Sequence, residues 1–241
     1  MMTGEQKRYT AVILAAGSGQ RMAADRNKVF LALAGQAIFQ YSLTLFLSDP
    51  DCQQVLLVGK AEEIAAFAPF LSDRVQFVTG GAERQDSVRQ ALSQVSQAAV
   101  MIHDGARPFV KRSELEALKQ HQNAILAAPV KETIKQVTDS GQIDQTVPRH
   151  NLWGAQTPQF FQTTLIRQVH QLARERAFLG TDDASLVEMF SELPVAVVMG
   201  SYENIKITTP EDLIFAQAIL AQRKEQDEQL IDETVTSSAN H

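Results

Sequence analysis

The sequence holds little that a disulfide-linked, zinc-binding or nucleic-acid-binding protein would need. Its 241 residues include one cysteine, Cys52, which excludes an internal disulfide, and no paired cysteine and histidine spacing indicates zinc. We expect Cys52 to be a packing thiol. The balance of 22 basic against 28 acidic residues gives a formal net charge of −6, so we expect no nucleic-acid partner. Basic residues that gather around one pocket are therefore informative.

Long hydrophobic runs are also missing. The first ten residues, MMTGEQKRYT, lack the apolar stretch of a signal peptide, and no run of 18 apolar residues follows them. We therefore expect a cytoplasmic protein with no membrane partner. A chain of this length can bury about 70 to 75% of its unfolded surface, so it requires no separate stabilising device.

What the sequence does contain is an alternation of apolar runs and amphipathic segments. Apolar runs typical of strands buried on both faces occur at 11–16, 55–59, 75–78, 99–103, 124–130 and 195–199. Helical spacing occupies 37–48 and 86–96, and further helix starts are indicated by an Asp86 cap, a capping box of Ser113 with Glu116, and Thr209 before Pro210. The alternation predicts a doubly wound α/β fold with a mostly parallel sheet.

One stretch, 130–153, departs from this rhythm. It alternates apolar and polar residues around a TDSG turn, which predicts an antiparallel hairpin, a β-arm, inserted into the α/β pattern. Because a lone hairpin is marginally stable, we expect it to rest against another subunit. We predict a single domain over 1–222 and a flexible tail over 223–241, where the apolar periodicity is lost.

The glycine-rich segment LAAGSGQRM follows the first apolar run. It is not a dinucleotide fingerprint, because Met22 stands where the third glycine belongs and no acidic residue ends the second strand; nor does it close with the lysine of a Walker motif. Gly17 and Gly19 let backbone N–H groups approach an anion, while Arg21 and Lys28 supply charge. A tight turn with solvated cations explains this segment about equally well.

Two later loops add to the phosphate-site interpretation. In TGGAERQDSV, glycines such as Gly81 permit close approach to a flat base and Ser87 offers a hydroxyl, although an ordinary strand-to-helix loop explains nearly as much. In HDGARP, a buried strand delivers Asp104 to its carboxyl end, with Arg107 three residues later. An internal ion pair between these two residues is the alternative. We expect His103 to be packed rather than catalytic.

Taken in order, the motifs resemble those of the 2-C-methyl-D-erythritol 4-phosphate cytidylyltransferases, a nucleotidyltransferase family. The resemblance spans about 9–222 and rests on LAAGSGQRM with Lys28, GGAERQDSV, HDGARP, APVKET, PRHNLW, QTPQFF, TDDASLVE and NIKITTPEDL. It implies a Rossmann-like α/β domain, a mostly parallel twisted sheet with helices on both faces, whose antiparallel β-arm clasps a second subunit in a homodimer. It also implies transfer of the cytidylyl group of CTP to a sugar-alcohol phosphate, with release of pyrophosphate.

The resemblance further implies a role for each matched residue. Arg21 and Lys28 contact the CTP phosphates and stabilise the transition state, and Arg149 and Lys206 orient the acceptor phosphate. The remaining nucleotide contacts are Ala15, Ala16, Gly17, Gly19, Gly81 and Ser87. The acceptor contacts are Asp104, Arg107, Thr133 and Thr181, with Thr133 and Arg149 supplied by the partner's arm.

Magnesium is implied as a cofactor held mainly by the CTP phosphates, which suits a cation that keeps phosphate oxygens and water as ligands. We therefore name no protein ligand for the metal. Asp182, Asp183 and Asp212 are conceivable ligands, but their positions also suit helix N-termini.

The chain departs from the family pattern at two positions. Ala82 replaces the usual acidic residue, which leaves a cytosine or ribose contact in question, and Asn27 replaces the usual proline before Lys28, which loosens a backbone restraint. Two other functions stay open at this point. One is a cytidylyltransferase for another polyol phosphate, such as ribitol 5-phosphate, and the other is a non-catalytic nucleotide-binding relative.

Overall fold

A computed structural model describes the backbone of residues 8–17 and 27–238, and side chains as far as residue 226. The strands in these ranges are β1 (Tyr9–Leu14), β2 (Ala32–Leu33), β3 (Gln36–Ala37), β4 (Cys52–Gly59), β5 (Val75–Thr79), β6 (Ala99–Asp104), β7 (Ala124–Pro129), β8 (Ile134–Val137), β9 (Ile143–Val147), β10 (Trp153–Gln162) and β11 (Ala196–Met199). The α-helices are α1 (Ile38–Ser48), α2 (Ile64–Phe67), α3 (Arg84–Leu92), α4 (Arg112–Leu118), α5 (Thr163–Glu175), α6 (Asp183–Phe190) and α7 (Pro210–Ser238).

Seven strands form one sheet in the order β11-β7-β10-β6-β1-β4-β5. The interior strand β1 runs parallel to both neighbours, with Ile13 opposite Leu57 of β4 and His103 of β6. Strand β10 lies antiparallel between β6 and β7. The mostly parallel α/β sheet is confirmed. The sequence did not predict β10, because its apolar and polar residues form neither a continuous run nor a clean alternation.

Helices cover both faces of this sheet, as the resemblance implied. Neighbouring residues of β1 point to opposite faces, so Ile13 packs with one apolar cluster and Val12 with the other. The first cluster includes side chains from α1 and α4, and the second includes side chains from α3, α5 and α6. Cys52 is fully buried in the first cluster, and burial raises the pKa of its thiol to about 11, which confirms a packing role.

Two of the expected helix starts are wrong in detail. Helix α3 begins at Arg84, so Asp86 lies inside its first turn and is not the N-cap. Helix α4 begins after Lys111, whose N–H donates to the Glu114 carboxylate at 2.7 Å. The expected capping box of Ser113 with Glu116 is therefore displaced by one that starts two residues earlier.

The start of α7 at Pro210 is confirmed, and the Asp212 carboxylate accepts hydrogen bonds from the N–H groups of Thr208 and Thr209 at 2.8 and 2.9 Å. The helix continues to Ser238, so residues 223–238 have a helical backbone where the sequence suggested a tail. The flexibility of that segment stays a prediction. No described helix combines the length and the apolarity that a membrane crossing requires.

The predicted hairpin is present as β8 and β9, which pair antiparallel around a turn containing Gly141 at a φ of +79°. A left-handed φ of this kind favours glycine. The hairpin projects from the sheet with most of its side chains exposed, including Val137 and Ile143 at 59% and 64%. Apolar side chains on both strands therefore lack a partner within the described part of this chain.

A buried ionic cluster lies at the amino ends of the parallel strands, near the start of β1. The Lys119 ammonium is fully buried, with Nζ 3.1 Å from Asp49 Oδ2, 2.6 Å from Asp51 Oδ2 and 3.0 Å from Glu116 Oε1. These three carboxylates lie close enough together to hold a metal ion. Because Lys119 bonds to all three, its ammonium already supplies the cation that they require.

Replacing Lys119 with methionine should lower the free energy of unfolding by about 3 kcal/mol, because Asp49 would stay buried and lose one of its two cations. Urea unfolding measures the loss. The exposed Lys135 of the arm provides a control, for which the same replacement should cost less than about 0.5 kcal/mol. Equal losses for the two variants would contradict the assigned role of the cluster.

Candidate active site

A cavity of about 520 Å³ opens at the carboxyl ends of four adjacent parallel strands, β6, β1, β4 and β5. Ligands of open α/β sheets bind at this edge, and the volume suits a small-molecule ligand. Seven of the predicted site residues line the cavity: Ala16, Gly17, Lys28, Gly81, Ser87, Asp104 and Lys206. The fold therefore brings together residues that are as much as 190 positions apart, as the interval from Ala16 to Lys206 shows.

The loop after β1 forms one wall. The N–H of Ala15 donates to the carbonyl of Val58 at 2.7 Å, which leaves Ala15 buried behind the cavity and Ala16 and Gly17 at its surface. Among the described residues, no atom lies within 4 Å of a Cβ added to Gly17. Gly19 and Arg21, also predicted for this site, lie outside the described residues.

Asn27 shapes the turn that carries Lys28. It is buried, its side-chain amide donates to the carbonyl of Ala15 and to Glu63 Oε2, and its Oδ1 accepts from the N–H of Val29. The amide thereby ties the turn to the loops that follow β1 and β4. These contacts restrain the turn by side-chain hydrogen bonds at the position where the resemblance implied a proline.

The loop after β5 forms the opposite wall and depends on Gly81. A Cβ at this position would lie 2.3 Å from the Cβ of Asp86, so only glycine fits against the first turn of α3. The N–H of Gly81 donates to the Ser87 hydroxyl at 3.1 Å, and that hydroxyl donates to the carbonyl of Glu83 at 3.1 Å. Ser87 therefore holds the loop in shape, while Ala82 presents a small apolar surface to the cavity.

The Asp104 carboxylate lies among three cations at the end of β6. Its Oδ2 is 2.7 Å from Lys206 Nζ and 4.0 Å from Arg107 Nε, and its Oδ1 is 3.3 Å from Arg84 Nε. Burial alone would raise the pKa of this carboxyl, but the charges of Arg84 and Lys206 outweigh burial and hold the pKa well below its usual value. Asp104 is thus ionised at any physiological pH.

Arg107 points from this cluster into a second cleft of about 320 Å³ at the base of the arm. Its Nη1 donates to the carbonyl of Asn204 at 2.7 Å, while its buried Nε has no hydrogen-bond partner among the described residues. The cleft includes residues of β7, β10 and the segment before α7. The ion pair that the sequence left as an alternative is present, but at 4.0 Å it is the weakest of the Asp104 contacts.

Besides Arg107, three more predicted residues lie away from the main cavity of this chain. Thr133 and Arg149 are exposed on the arm, where the Arg149 guanidinium donates to the carbonyl of Lys131. Thr181 lines a small cleft of about 90 Å³ that adjoins the cavity at Arg84. A single chain therefore does not bring Arg149 to Lys206, and their roles stay predictions.

Two cavity residues, Arg84 and Lys60, were not singled out from the sequence. Arg84 stands inside the quoted GGAERQDSV motif, and its Nη1 also binds the buried Asp183 at 2.8 Å. Lys60 directly follows β4 and lines the cavity with Lys28. The signal that could have identified both is their place at the carboxyl ends of parallel strands.

The aspartates that were weighed as metal ligands are engaged at helix starts. Asp182 accepts from the N–H of Ser185 at 2.9 Å, as the N-cap of α6. Asp183 binds Arg84 and lies 3.1 Å from His170 Nε2. Asp212 accepts from the N–H groups of Thr208 and Thr209 just before α7, so Asp182 and Asp212 have the helix-start role that their positions also suggested, whereas the Asp183 carboxylate is held by Arg84 and His170.

Comparison with known proteins agrees with this geometry. The sequence profile of 2-C-methyl-D-erythritol 4-phosphate cytidylyltransferase matches residues 9–222. A curated protein of this name from Halalkalibacterium halodurans is 47% identical over 227 residues, which cover 90% of this chain and 98% of the relative. One from Bacillus velezensis is 44% identical over 222 residues, covering 88% and 95%.

Solved structures agree as well. The 4-diphosphocytidyl-2C-methyl-D-erythritol synthase from Anaerococcus prevotii matches with a TM-score of 0.78 at 30% identity, covering 90% of this chain and 98% of its own. The 2-C-methyl-D-erythritol 4-phosphate cytidylyltransferase from Thermus thermophilus matches with a TM-score of 0.72 at 32% identity, covering 88% and 98%.

Replacing Arg84 with methionine should raise the pKa of the Asp104 carboxyl, because a neighbouring positive charge that favours the carboxylate is removed. Carbon-13 NMR titration of labelled aspartate measures the shift. Arg89 provides a matched control, since it lies on the same helix and pairs with Asp86 at 3.3 Å instead. An Asp104 titration that is unchanged by Arg84→Met would contradict the electrostatic account of the site.

Proposed function

The chain belongs to the 2-C-methyl-D-erythritol 4-phosphate cytidylyltransferase family and is a CTP-dependent transferase, and we propose that the cavity at the carboxyl edge of its sheet is the catalytic site. The reaction transfers the cytidylyl group of CTP to 2-C-methyl-D-erythritol 4-phosphate in isoprenoid precursor synthesis. The observation that carries the assignment of the site is the presence of Lys28 and Lys206, from distant loops, in one cavity beside ionised Asp104.

The chemistry defines what the site must supply. An oxygen of the acceptor phosphate forms a bond to the α-phosphorus of CTP, and the bond from that phosphorus to the bridging oxygen of pyrophosphate breaks. A phosphate monoester is largely dianionic near neutral pH, so it attacks without a strong general base. Because both reactants are anions, the protein contributes mainly position and positive charge.

The nucleotide half lies between the loops after β1 and β5. Lys28 and Arg21 bind the triphosphate and stabilise charge on the oxygens around the reacting phosphorus, and Lys60 adds a further positive charge to this wall. Gly17 and Gly19 let the backbone approach the phosphates closely. This arrangement is supported by the presence of Gly17, Lys28 and Lys60 together in the lining of the cavity.

The cytosine ring is placed against the backbone of Ala15, Ala16 and Gly81, with Ser87 holding the Gly81 loop in shape. Backbone donors and acceptors in a confined space discriminate between bases by hydrogen-bond pattern and by size. Ala82 lacks a carboxylate, and its neighbour Glu83 is the acidic residue that lines this wall.

The acceptor half lies around Lys206. Lys206 holds the acceptor phosphate, joined by Arg149 from the arm of a second subunit, and Asp104 accepts hydrogen bonds from the polyol hydroxyls. Arg107, Thr181 and the second subunit's Thr133 complete this half from the adjoining clefts. Support comes from the ion pair of Lys206 with Asp104 at 2.7 Å, in which a cation for the phosphate lies beside a carboxylate that can accept hydrogen bonds from hydroxyls.

Magnesium fits this site as a companion of the triphosphate. The Asp104 carboxylate is already bonded to Lys206 and Arg84, so we expect the triphosphate oxygens, rather than Asp104, to be the main ligands of the metal. Lys28 and Arg21 would hold the nucleotide that carries Mg²⁺. When bound, the metal neutralises phosphate charge and keeps water and phosphate oxygens as its ligands.

A homodimer completes the proposal. The arm exposes the apolar Val137 and Ile143 as well as the cation Arg149. A second subunit would cover the two apolar side chains and would bind its acceptor phosphate with Arg149. The catalytic unit is then the pair of domains, each over 1–222, with each arm reaching into the other subunit's acceptor half.

Pyrophosphate release should require CTP and 2-C-methyl-D-erythritol 4-phosphate together. The assay compares four nucleoside triphosphates with two acceptors, the second being ribitol 5-phosphate, and Lys28→Met should lower the rate about 100- to 1000-fold. Turnover with ribitol 5-phosphate but not with 2-C-methyl-D-erythritol 4-phosphate would identify ribitol 5-phosphate as the acceptor. Binding of CTP with no turnover on either acceptor would favour a non-catalytic relative.

Two inactive variants should restore activity when their subunits exchange. Lys28→Met and Arg149→Ala damage different halves, so a mixed dimer regains one intact site if the arm serves the opposite subunit. Random exchange then gives about one quarter of the wild-type rate. Each variant incubated alone is the control. A mixture no more active than the mean of its parents would show that the site is not shared.

A further inference from the structure

We propose that His103 is a positioning residue for the acceptor half: its neutral imidazole, with hydrogen on Nε2, links the backbone of Asp104 to that of Arg107 and fixes their separation. The inference rests on the proposed function, which assigns Asp104 and Arg107 to the acceptor. It gives a buried histidine beneath the site a role in substrate binding without making it a catalytic residue.

The link can be followed atom by atom. His103 lies in β6 directly before Asp104 and is fully buried. Its Nε2 is 3.0 Å from the carbonyl oxygen of Arg107, and its Nδ1 is 3.0 Å from the Thr157 hydroxyl. That hydroxyl accepts a hydrogen bond from the N–H of Asp104 at 3.0 Å. Both ends of the Asp104–Arg107 loop are therefore attached to one imidazole ring.

The partners decide which ring nitrogen carries the hydrogen. A carbonyl oxygen can only accept, so Nε2 must be the donor toward Arg107. Nδ1 then accepts from the Thr157 hydroxyl, whose own oxygen accepts from Asp104. Ser42 also donates to the Arg107 carbonyl at 3.1 Å, and its oxygen lies 3.0 Å from Nε2. Every group in this network then has a complementary partner.

The imidazole remains neutral under working conditions. Burial lowers the pKa of His103 to about 4; the charge of Asp104 raises it and that of Arg107 lowers it. From α1 the ring meets the uncharged Phe46, edge-on at a centroid distance of 5.7 Å, and from β10 the uncharged Thr157. A second hydrogen on Nδ1 would face the Thr157 hydrogen and break the link.

The network is bonded directly to the acceptor cations, and it also meets the nucleotide walls, through the N–H of Gly105 on the Leu14 carbonyl at 2.9 Å and through Arg84 at 3.3 Å from Asp104. Three contacts join the loop to the segment that carries Lys206. Arg107 donates to the carbonyl of Asn204 at 2.7 Å, and the N–H of Ile207 donates to the carbonyl of Ala106 at 2.9 Å. The third is the ion pair of Asp104 with Lys206. A shift of the loop would therefore displace Asp104, Arg107 and Lys206 together. Since misplacement by about 1 Å can cost 100-fold, and since Asp104, Arg107 and Lys206 all belong to the acceptor half, the effect should be much larger for the acceptor than for CTP.

The tautomer is tested on the wild-type protein by nitrogen-15 NMR of labelled histidine, with His103→Gln identifying the resonance. We expect hydrogen on Nε2, a bare Nδ1 and no titration of this ring between pH 6 and 8. Hydrogen on Nδ1, or titration near the ordinary histidine pKa, would overturn the proposal. The measurement needs no turnover, so it separates this proposal from the proposed function, which fails if no acceptor is used.

The positioning role is tested with Thr157→Val, which keeps the shape of the side chain and removes the hydroxyl. We expect the KM for the acceptor phosphate to rise about 10- to 100-fold. The KM for CTP should stay within about twofold, because only acceptor contacts are lost. Thr157→Ser, which restores a hydroxyl, should recover most of the acceptor affinity.

Thr10→Val is the matched control, because Thr10 is also fully buried and hydrogen-bonded, to Gln54 at 2.9 Å, but lies outside the network. It should reduce stability without changing the acceptor KM. Equal increases of both KM values in Thr157→Val, or the same acceptor defect in Thr10→Val, would show a merely structural role and overturn the proposal.

Discussion

The Asp104 carboxylate is the group on which the geometry of the site depends. A largely buried carboxylate must be paired, and Asp104 meets this need with Arg84 from the start of α3 and Lys206 from the segment before α7. The same interactions that compensate for its burial therefore fix the cations around it. In the acceptor half that we propose, Asp104 and its cations are therefore in place before any substrate arrives, which is the condition under which fixed charges favour a transition state.

Charge is distributed unevenly over this acidic chain. The net charge is −6, yet Lys28, Lys60, Arg84 and Lys206 all line one cavity. Asp104, Glu62 and Glu83 line the same cavity, so its described lining holds four cations against three carboxylates, while the acidic cluster of Asp49, Asp51 and Glu116 is paired with Lys119 near the start of β1. The local field, rather than the overall charge, suits the protein to a nucleoside triphosphate and a phosphate acceptor.

Local patterns predicted most of the sheet and the place of Asp104, because buried strands read as apolar runs and their carboxyl ends form the site. They did not predict the partner of Arg84, since Asp183 lies 99 residues away and only the folded chain brings the two together. Strand β10 was missed because pairing with β6 and β7, rather than its own periodicity, makes it a strand. The role of Lys206 came from the resemblance alone, since a lysine in a loop has no distinguishing pattern.

A crystal structure with CTP, Mg²⁺ and an unreactive phosphonate analogue of the acceptor would show whether both substrates occupy this cavity. We expect the α-phosphorus to lie between Lys28 and Lys206, with the phosphonate held by Lys206 and by Arg149 of the second subunit. A triphosphate bound away from the loop after β1, or a phosphonate that does not contact Lys206, would contradict the proposed site.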